Sequence, residues 1–190
     1  MIEHNYQFFF VGGTCGSLIK HIFYNYLHSY TPLTINPVTG DCHNNVGNNS
    51  LKHVHWIEQI NPTKKIILID FDDDDKTTII RMAFHKVVLS QISSDSTILK
   101  TQWGIDIDPG NLEQLEKTFI QNSNFLIFPD WKQQIELITP ALTIRFKDIL
   151  FGDINGIISE FLQIGRLPEV DHFVEQYRTI NQKYITDHTG

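Results

Sequence analysis

Four groups of residues in this 190-residue chain have types and spacings suited to chemistry. The first is Gly12-Gly13-Thr14-Cys15-Gly16-Ser17, which follows the apolar run from Tyr6 to Val11. Such a turn between a strand and a helix presents backbone N–H groups and the positive end of a helix dipole. Together these bind phosphate or sulfate without a cationic side chain. Gly12, Gly13 and Gly16 permit close approach and positive φ, and Thr14 and Ser17 add hydroxyl donors. The same six residues would also serve as a tight connection with no ligand. The second group is Asp70 with Asp72 to Asp75. Asp70 and Asp72 could offer carboxylate oxygens to Mg²⁺ or Ca²⁺, or the group could simply cap and complement a helix N-terminus. The third is His43, His53 and His55 with Cys42 and Asp41, whose spacing matches no standard zinc pattern. Any of the three histidines could act as a general base, and each is equally read as an ordinary surface residue. The fourth is Arg81, which shares a row of four-residue spacing with Thr77 and His85. That row either flanks a phosphate or is a solvated helix face.

The elements that must position these residues follow from the apolar pattern. Tyr6 to Val11 reads as a buried strand, and apolar residues at helical spacing from Leu18 to Tyr30 predict a helix that Pro32 stops. Residues 33–63 are polar and turn-rich and read as a long irregular loop, with a short helix over Leu51 to Ile60. Lys65 to Phe71 is the clearest buried strand, and the stripe from Ile79 to Val88 predicts the helix after it. Asn111 and Gln114 form a capping box for a helix through Phe119, and Asn124 to Phe128 reads as a strand. Ala141 to Phe146 is a further strand. Asp153 caps a helix that Gly165 ends, and a last helix runs from about Val170 to Ile185. Apolar strands separated by amphipathic helices imply a three-layer α/β/α fold with a mainly parallel sheet, in one domain over residues 1–190. In such sheets ligands bind beyond the carboxyl ends of the strands.

Composition narrows the function classes. With 41% hydrophobic and only 19% charged residues, the chain is neither disordered nor a coiled coil. A net charge of −7 argues against nucleic-acid partners. Two cysteines make no disulfide framework, and no apolar run approaches the ~20 residues of a membrane span. The first residues lack a signal peptide pattern. The expectation is a soluble, cytoplasmic protein.

The nucleoside-triphosphate pattern G-x-x-x-x-G-K-[ST] fails here because Ser17, not Lys, follows Gly16, and G-x-G-x-x-G fails on spacing. The stretch FFFVGGTCGSLIKHIF instead resembles the 5′-phosphosulfate loop of the P-loop sulfotransferases, with Cys15-Gly16-Ser17 on the family's Ser/Thr-Gly-Ser/Thr turn. Ile144 to Leu150, then Asp153, then Ile158 to Gly165 resemble the strand and helix that follow later in that family. The resemblance covers about residues 6–30 and 141–165 and is nearest to small, divergent members from phages and marine bacteria.

It implies transfer of a sulfuryl group from 3′-phosphoadenosine 5′-phosphosulfate to an acceptor hydroxyl, with no metal. The donor's 5′-phosphate would lie on Gly12, Gly13, Thr14, Cys15, Gly16 and Ser17. Arg81 would be the residue for a second phosphate, and His43, His53 or His55 the base. Two departures stand out: Thr14 occupies the place of the family's lysine, and aspartates follow the strand where the family has an arginine. Two alternatives therefore accompany this reading. One is a Mg²⁺-dependent P-loop phosphotransferase or phosphohydrolase using Asp70 and Asp72. The other is a non-catalytic binding module of the same fold. Trp56, Trp103 and Trp131 flank loops, where one could stack on an adenine or pack into the core.

Overall fold

The computed structural model describes residues 5–28, 35–36, 40, 42, 53–55, 57–92, 112–127 and 130–185. Four strands, β1 (Tyr6–Phe9), β2 (His53–Val54), β3 (Lys65–Asp70) and β4 (Leu142–Arg145), pair in the order β2-β1-β3-β4. Every pairing is parallel. The helices are α1 (Gly16–Leu27), α2 (Lys76–Ile92), α3 (Leu112–Ile127), α4 (Trp131–Glu136), α5 (Phe146–Phe151), α6 (Ile154–Leu162) and α7 (Pro168–Ile185). Single turns of 3₁₀ helix occupy Ile57–Gln59 and Asp73–Asp75. No helix among the described residues is long and apolar enough to cross a membrane.

The sheet forms where the apolar runs are densest. All four residues of β1 are buried, as are Ile66 to Ile69 of β3, which is the pattern of strands covered on both faces. Phe8, Phe9, Ile67, Ile69 and Ile144 are fully enclosed, and each such side chain contributes about 1.5–3 kcal/mol by leaving water. Gln7 is the polar exception on β1. Its Nε2 donates to the Gln59 carbonyl at 3.0 Å, and its Oε1 accepts from Asn61 N–H at 2.7 Å, so burial leaves neither group unsatisfied. The register aligns Val54 with Phe9, Phe9 with Leu68, and Asp70 with Arg145. It thereby gathers the Gly-rich turn, His55, the aspartates and the start of α5 along one edge.

Several boundaries differ from the sequence expectations. Asn124 to Ile127 belongs to α3, not to a strand. A short apolar run is ambiguous between the two states, and no Gly or Pro interrupts the helical register from Leu112. The helix expected over Leu51 to Ile60 is replaced by β2 and one 3₁₀ turn, because pairing with β1 claims the backbone: Phe10 N–H donates to the Val54 carbonyl at 3.3 Å. Helix α1 ends at Leu27, ahead of Pro32, where His28 turns extended and stacks its ring on Tyr24. Helix α6 ends on Gln163 in the left-handed region at φ 56°, ahead of Gly165. Asp153 does cap α6, accepting from Gly156 N–H at 3.0 Å. The expected cap at Asn111 lies outside the described residues.

Candidate functional site

The Gly-rich turn leaves β1 at the sheet's carboxyl edge and runs into α1. Gly13 sits at φ 93°, and a Cβ there would stand 2.5 Å from the Ile79 carbonyl oxygen and 3.1 Å from the Ala83 methyl, so only glycine fits between β1 and α2. At Gly16 a Cβ would overlap the Phe10 ring. Gly12 faces open space.

Thr14 and Cys15 differ from the sequence expectation. Thr14 is fully enclosed and its hydroxyl donates to the Val11 carbonyl at 2.6 Å, so it locks the turn instead of facing a ligand. Cys15 is buried in the left-handed region at φ 62°, and its Sγ accepts from the Tyr177 hydroxyl at 3.2 Å. Of the six turn residues, Gly12, Gly13 and Ser17 reach the surface, while Thr14, Cys15 and Gly16 pack inward. Helix α1 carries no acidic residue in its first turn, so its positive end is not neutralised by the helix's own side chains.

The three histidines separate. His43 lies outside the described residues. His53 is paired by its backbone with Phe8, and its side chain is outside the description. His55 stands exposed just past β2, beside the turn. Its Nδ1 lies 2.5 Å from the Phe10 carbonyl, and its ring meets the Phe10 ring edge-on at 5.1 Å. A carbonyl only accepts, so this contact puts the proton on Nδ1 and makes Nε2 the basic nitrogen.

The aspartates after β3 are organised by cations of this chain. Asp70 accepts from Phe71 N–H at 2.8 Å and from the Trp131 indole N–H at 3.4 Å. Asp72 and buried Asp75 form a capping box, with Asp72 N–H donating to Asp75 Oδ2 at 2.8 Å. Lys147 lies 3.3 Å from Asp72 and 3.9 Å from Asp75, and Arg145 lies 3.9 Å from Asp72. Basic residues from the end of β4 and the start of α5 thus reach across to Asp72. Asp73 is held at 3.0 Å by both Lys132 and Lys76. Lys132 first and Lys76 second hold the Asp73 carboxyl below its ordinary value of 3.8, while Asp73 raises Lys132 in return and Asp72 raises Lys147. Among the described residues no three His, Cys, Asp or Glu side chains converge as a metal site.

Arg81 lies on the side of α2 that faces α3. Its Nε is 3.6 Å from Glu116 on α3, and His85 Nε2 is 3.9 Å from the same oxygen. Of the row of Thr77, Arg81 and His85, the last two therefore face Glu116 of α3, while Thr77 is exposed. Trp131 is core: it stacks on Phe9 at 5.0 Å and on Phe71 at 5.5 Å. Trp56 and Trp103 lie outside the described residues.

Sequence reasoning missed Tyr177 and Arg178. Burial pushes the Arg178 guanidinium below its ordinary value. It donates to the carbonyls of Ile149 at 2.8 Å and Gly152 at 2.6 Å, closing the end of α5. No local pattern could have found these residues, since their partners lie on other elements. A cavity of about 330 Å³ opens beyond β3 beside Phe71, Lys76 and Lys132. A larger groove of about 540 Å³ lies away from the turn, between the starts of α6 and α7, where Arg166 bridges Asp153 and Asp171. Comparisons with family models, with curated proteins and with solved structures each find no match.

Proposed function

We propose that the chain is a sulfotransferase-like protein of the P-loop type, a three-layer α/β/α fold that transfers a sulfuryl group from 3′-phosphoadenosine 5′-phosphosulfate to an acceptor hydroxyl. One observation carries the reading. The Gly-rich turn leaves an inner strand of a parallel sheet and enters a helix with no acid in its first turn, and His55 from the adjacent strand is hydrogen-bonded to Phe10 at the turn's base. This is where an α/β sheet binds ligands and how a helix start binds a phosphate.

In the proposed step the acceptor oxygen attacks sulfur in line. His55 Nε2 takes the acceptor proton, and the bond from sulfur to the bridging oxygen of the 5′-phosphate breaks. The leaving 3′-phosphoadenosine 5′-phosphate gains negative charge on that oxygen, which the backbone N–H groups of Gly13 to Ser17 would meet. Ser17 is half-buried at the start of α1 and would lie beside this charge, whereas the enclosed Thr14 hydroxyl is given to Val11. Arg81 holds no second phosphate in this scheme because it is committed to Glu116.

A thermal-shift titration with 3′-phosphoadenosine 5′-phosphate, with and without Mg²⁺, tests the reading. At 100-fold excess over Kd, binding to the native state adds about 2.7 kcal/mol. For a chain of this size that raises Tm by about 5–10 °C. No shift at millimolar ligand rejects the donor. A shift without any sulfuryl transfer supports the second reading, a binding module of the same fold, which the inward packing of Thr14, Cys15 and Gly16 favours.

A further inference from the structure

We propose that Tyr177 is the positioning residue of the phosphate-binding turn: its hydroxyl, donated to Cys15 Sγ, holds Cys15 left-handed and so aims the N–H groups that open α1. The inference rests on the reading of this turn as a donor-phosphate site.

Cys15 is the N-cap of α1, and at φ 62° it occupies a region that side chains with a Cβ rarely visit. Its side chain makes no capping hydrogen bond, so the usual local device for fixing a helix start is not used here. The surroundings must hold the conformation instead. Phe10 packs against Gly16, the residue after Cys15, and α2 packs against Gly13, two residues before it. The Cys15 Sγ accepts from the Tyr177 O–H, from a ring with no solvent exposure, at 3.2 Å.

Tyr177 is itself anchored. The neighbouring Arg178 guanidinium bonds the Asp148, Ile149 and Gly152 carbonyls at the end of α5, and Asn181 Nδ2 bonds the Tyr177 carbonyl at 2.8 Å. Helix α7 therefore ties the turn after β1 to the helix after β4, and Tyr177 cannot shift without moving that junction. The direction of the Gly16 and Ser17 amides follows from the Cys15 dihedrals, because those amides come next in the chain.

The test combines Tyr177→Phe, Cys15→Ala and Cys15→Gly, read by calorimetric titration with 3′-phosphoadenosine 5′-phosphate and by Tm. Loss of one hydrogen bond's worth of positioning weakens binding about five- to tenfold. Tyr177→Phe and Cys15→Ala are each expected to do this, and the double variant no more than either alone. Cys15→Gly in the Tyr177→Phe background is expected to restore affinity, since glycine takes positive φ without help. A structural role alone would lower Tm and leave this rescue absent. Unchanged affinity in Tyr177→Phe, or additive losses in the double variant, overturns the proposal. Should the wild-type protein bind no nucleotide, the donor reading fails on its own. Amide hydrogen exchange at Gly13 to Ser17 then decides the positioning. Faster exchange in ligand-free Tyr177→Phe sustains it, and unchanged exchange removes it.

Discussion

Helices α1 and α2 begin at the same edge of the sheet, one beyond β1 and one beyond the neighbouring β3, yet their starts are built on opposite principles. The start of α1 is made of glycine, threonine, cysteine and serine with no formal charge. The approach to α2 holds five aspartates, of which Asp72, Asp73 and Asp75 are paired with Lys76, Lys132, Lys147 and Arg145. At α2 the side chains of this chain already complement the helix dipole. At α1 that complement is lacking among its own first-turn residues, so an external anion can supply it. Equal positions in a topology therefore do not make equal sites; the side chains at the first turn decide which end is open.

The two helix starts share Trp131, which stacks on Phe9 of β1 and on Phe71 after β3. Trp131→Ala is expected to cost about 3–5 kcal/mol, read by urea denaturation. It should loosen both strand ends together; loss at one end alone would show that the two starts are independent. His55→Gln comes next. Under the proposed reaction it lowers turnover about 10²- to 10⁴-fold while leaving Tm nearly unchanged. Unaltered turnover in an active preparation would exclude His55 as the base.

Gly13→Ala is expected to cost about 1–3 kcal/mol from its positive φ and its crowding by Ile79. Gly12→Ala, in open space, should stay within about 0.5 kcal/mol by the same denaturation measurement. Equal effects of the two would mean that the turn is not held against α2. The smallest effect belongs to the aspartate end. Asp73 has a depressed carboxyl value, so its pairing contributes stability above 3.8, and that contribution is lost as pH falls through the lower folded value. Its groups are fully solvated, so Asp73→Asn should remove only a minor part of the acid limb of a Tm–pH profile, and salt should remove the same part.

What the sequence disclosed was local. The strand at Tyr6 to Phe9, the turn, the strand at Lys65 to Asp70 and the Asp153 cap are each specified within a few residues, by burial pattern, glycine placement or a side chain bonding its own helix start. Strand β2 was hidden because two residues of pairing leave no periodicity, and only the match of His53 and Val54 with Phe8 and Phe9 defines it. Arg81 looked equally suited to phosphate or solvent, since nothing near it in the chain announces Glu116. The aspartates were read without their basic partners because Lys132 and Lys147 arrive from other elements. The choice of His55 among three histidines likewise needed the contact with Phe10 across 45 residues of chain.

The bond between Tyr177 and Cys15 has a consequence for how the molecule is made. The two residues are 162 positions apart. At a ribosomal pace of about 5–20 residues per second, the turn leaves the tunnel roughly 8–30 seconds before the residue that closes over it. Strand β4 follows its partner β3 after a shorter interval, since Ile69 pairs with Ile144. Through that interval the apolar face of β1 and the underside of the turn lack their final cover. A nascent chain is therefore expected to stay accessible to protease at the turn until α7 is made, and synthesis at low temperature should lengthen that window.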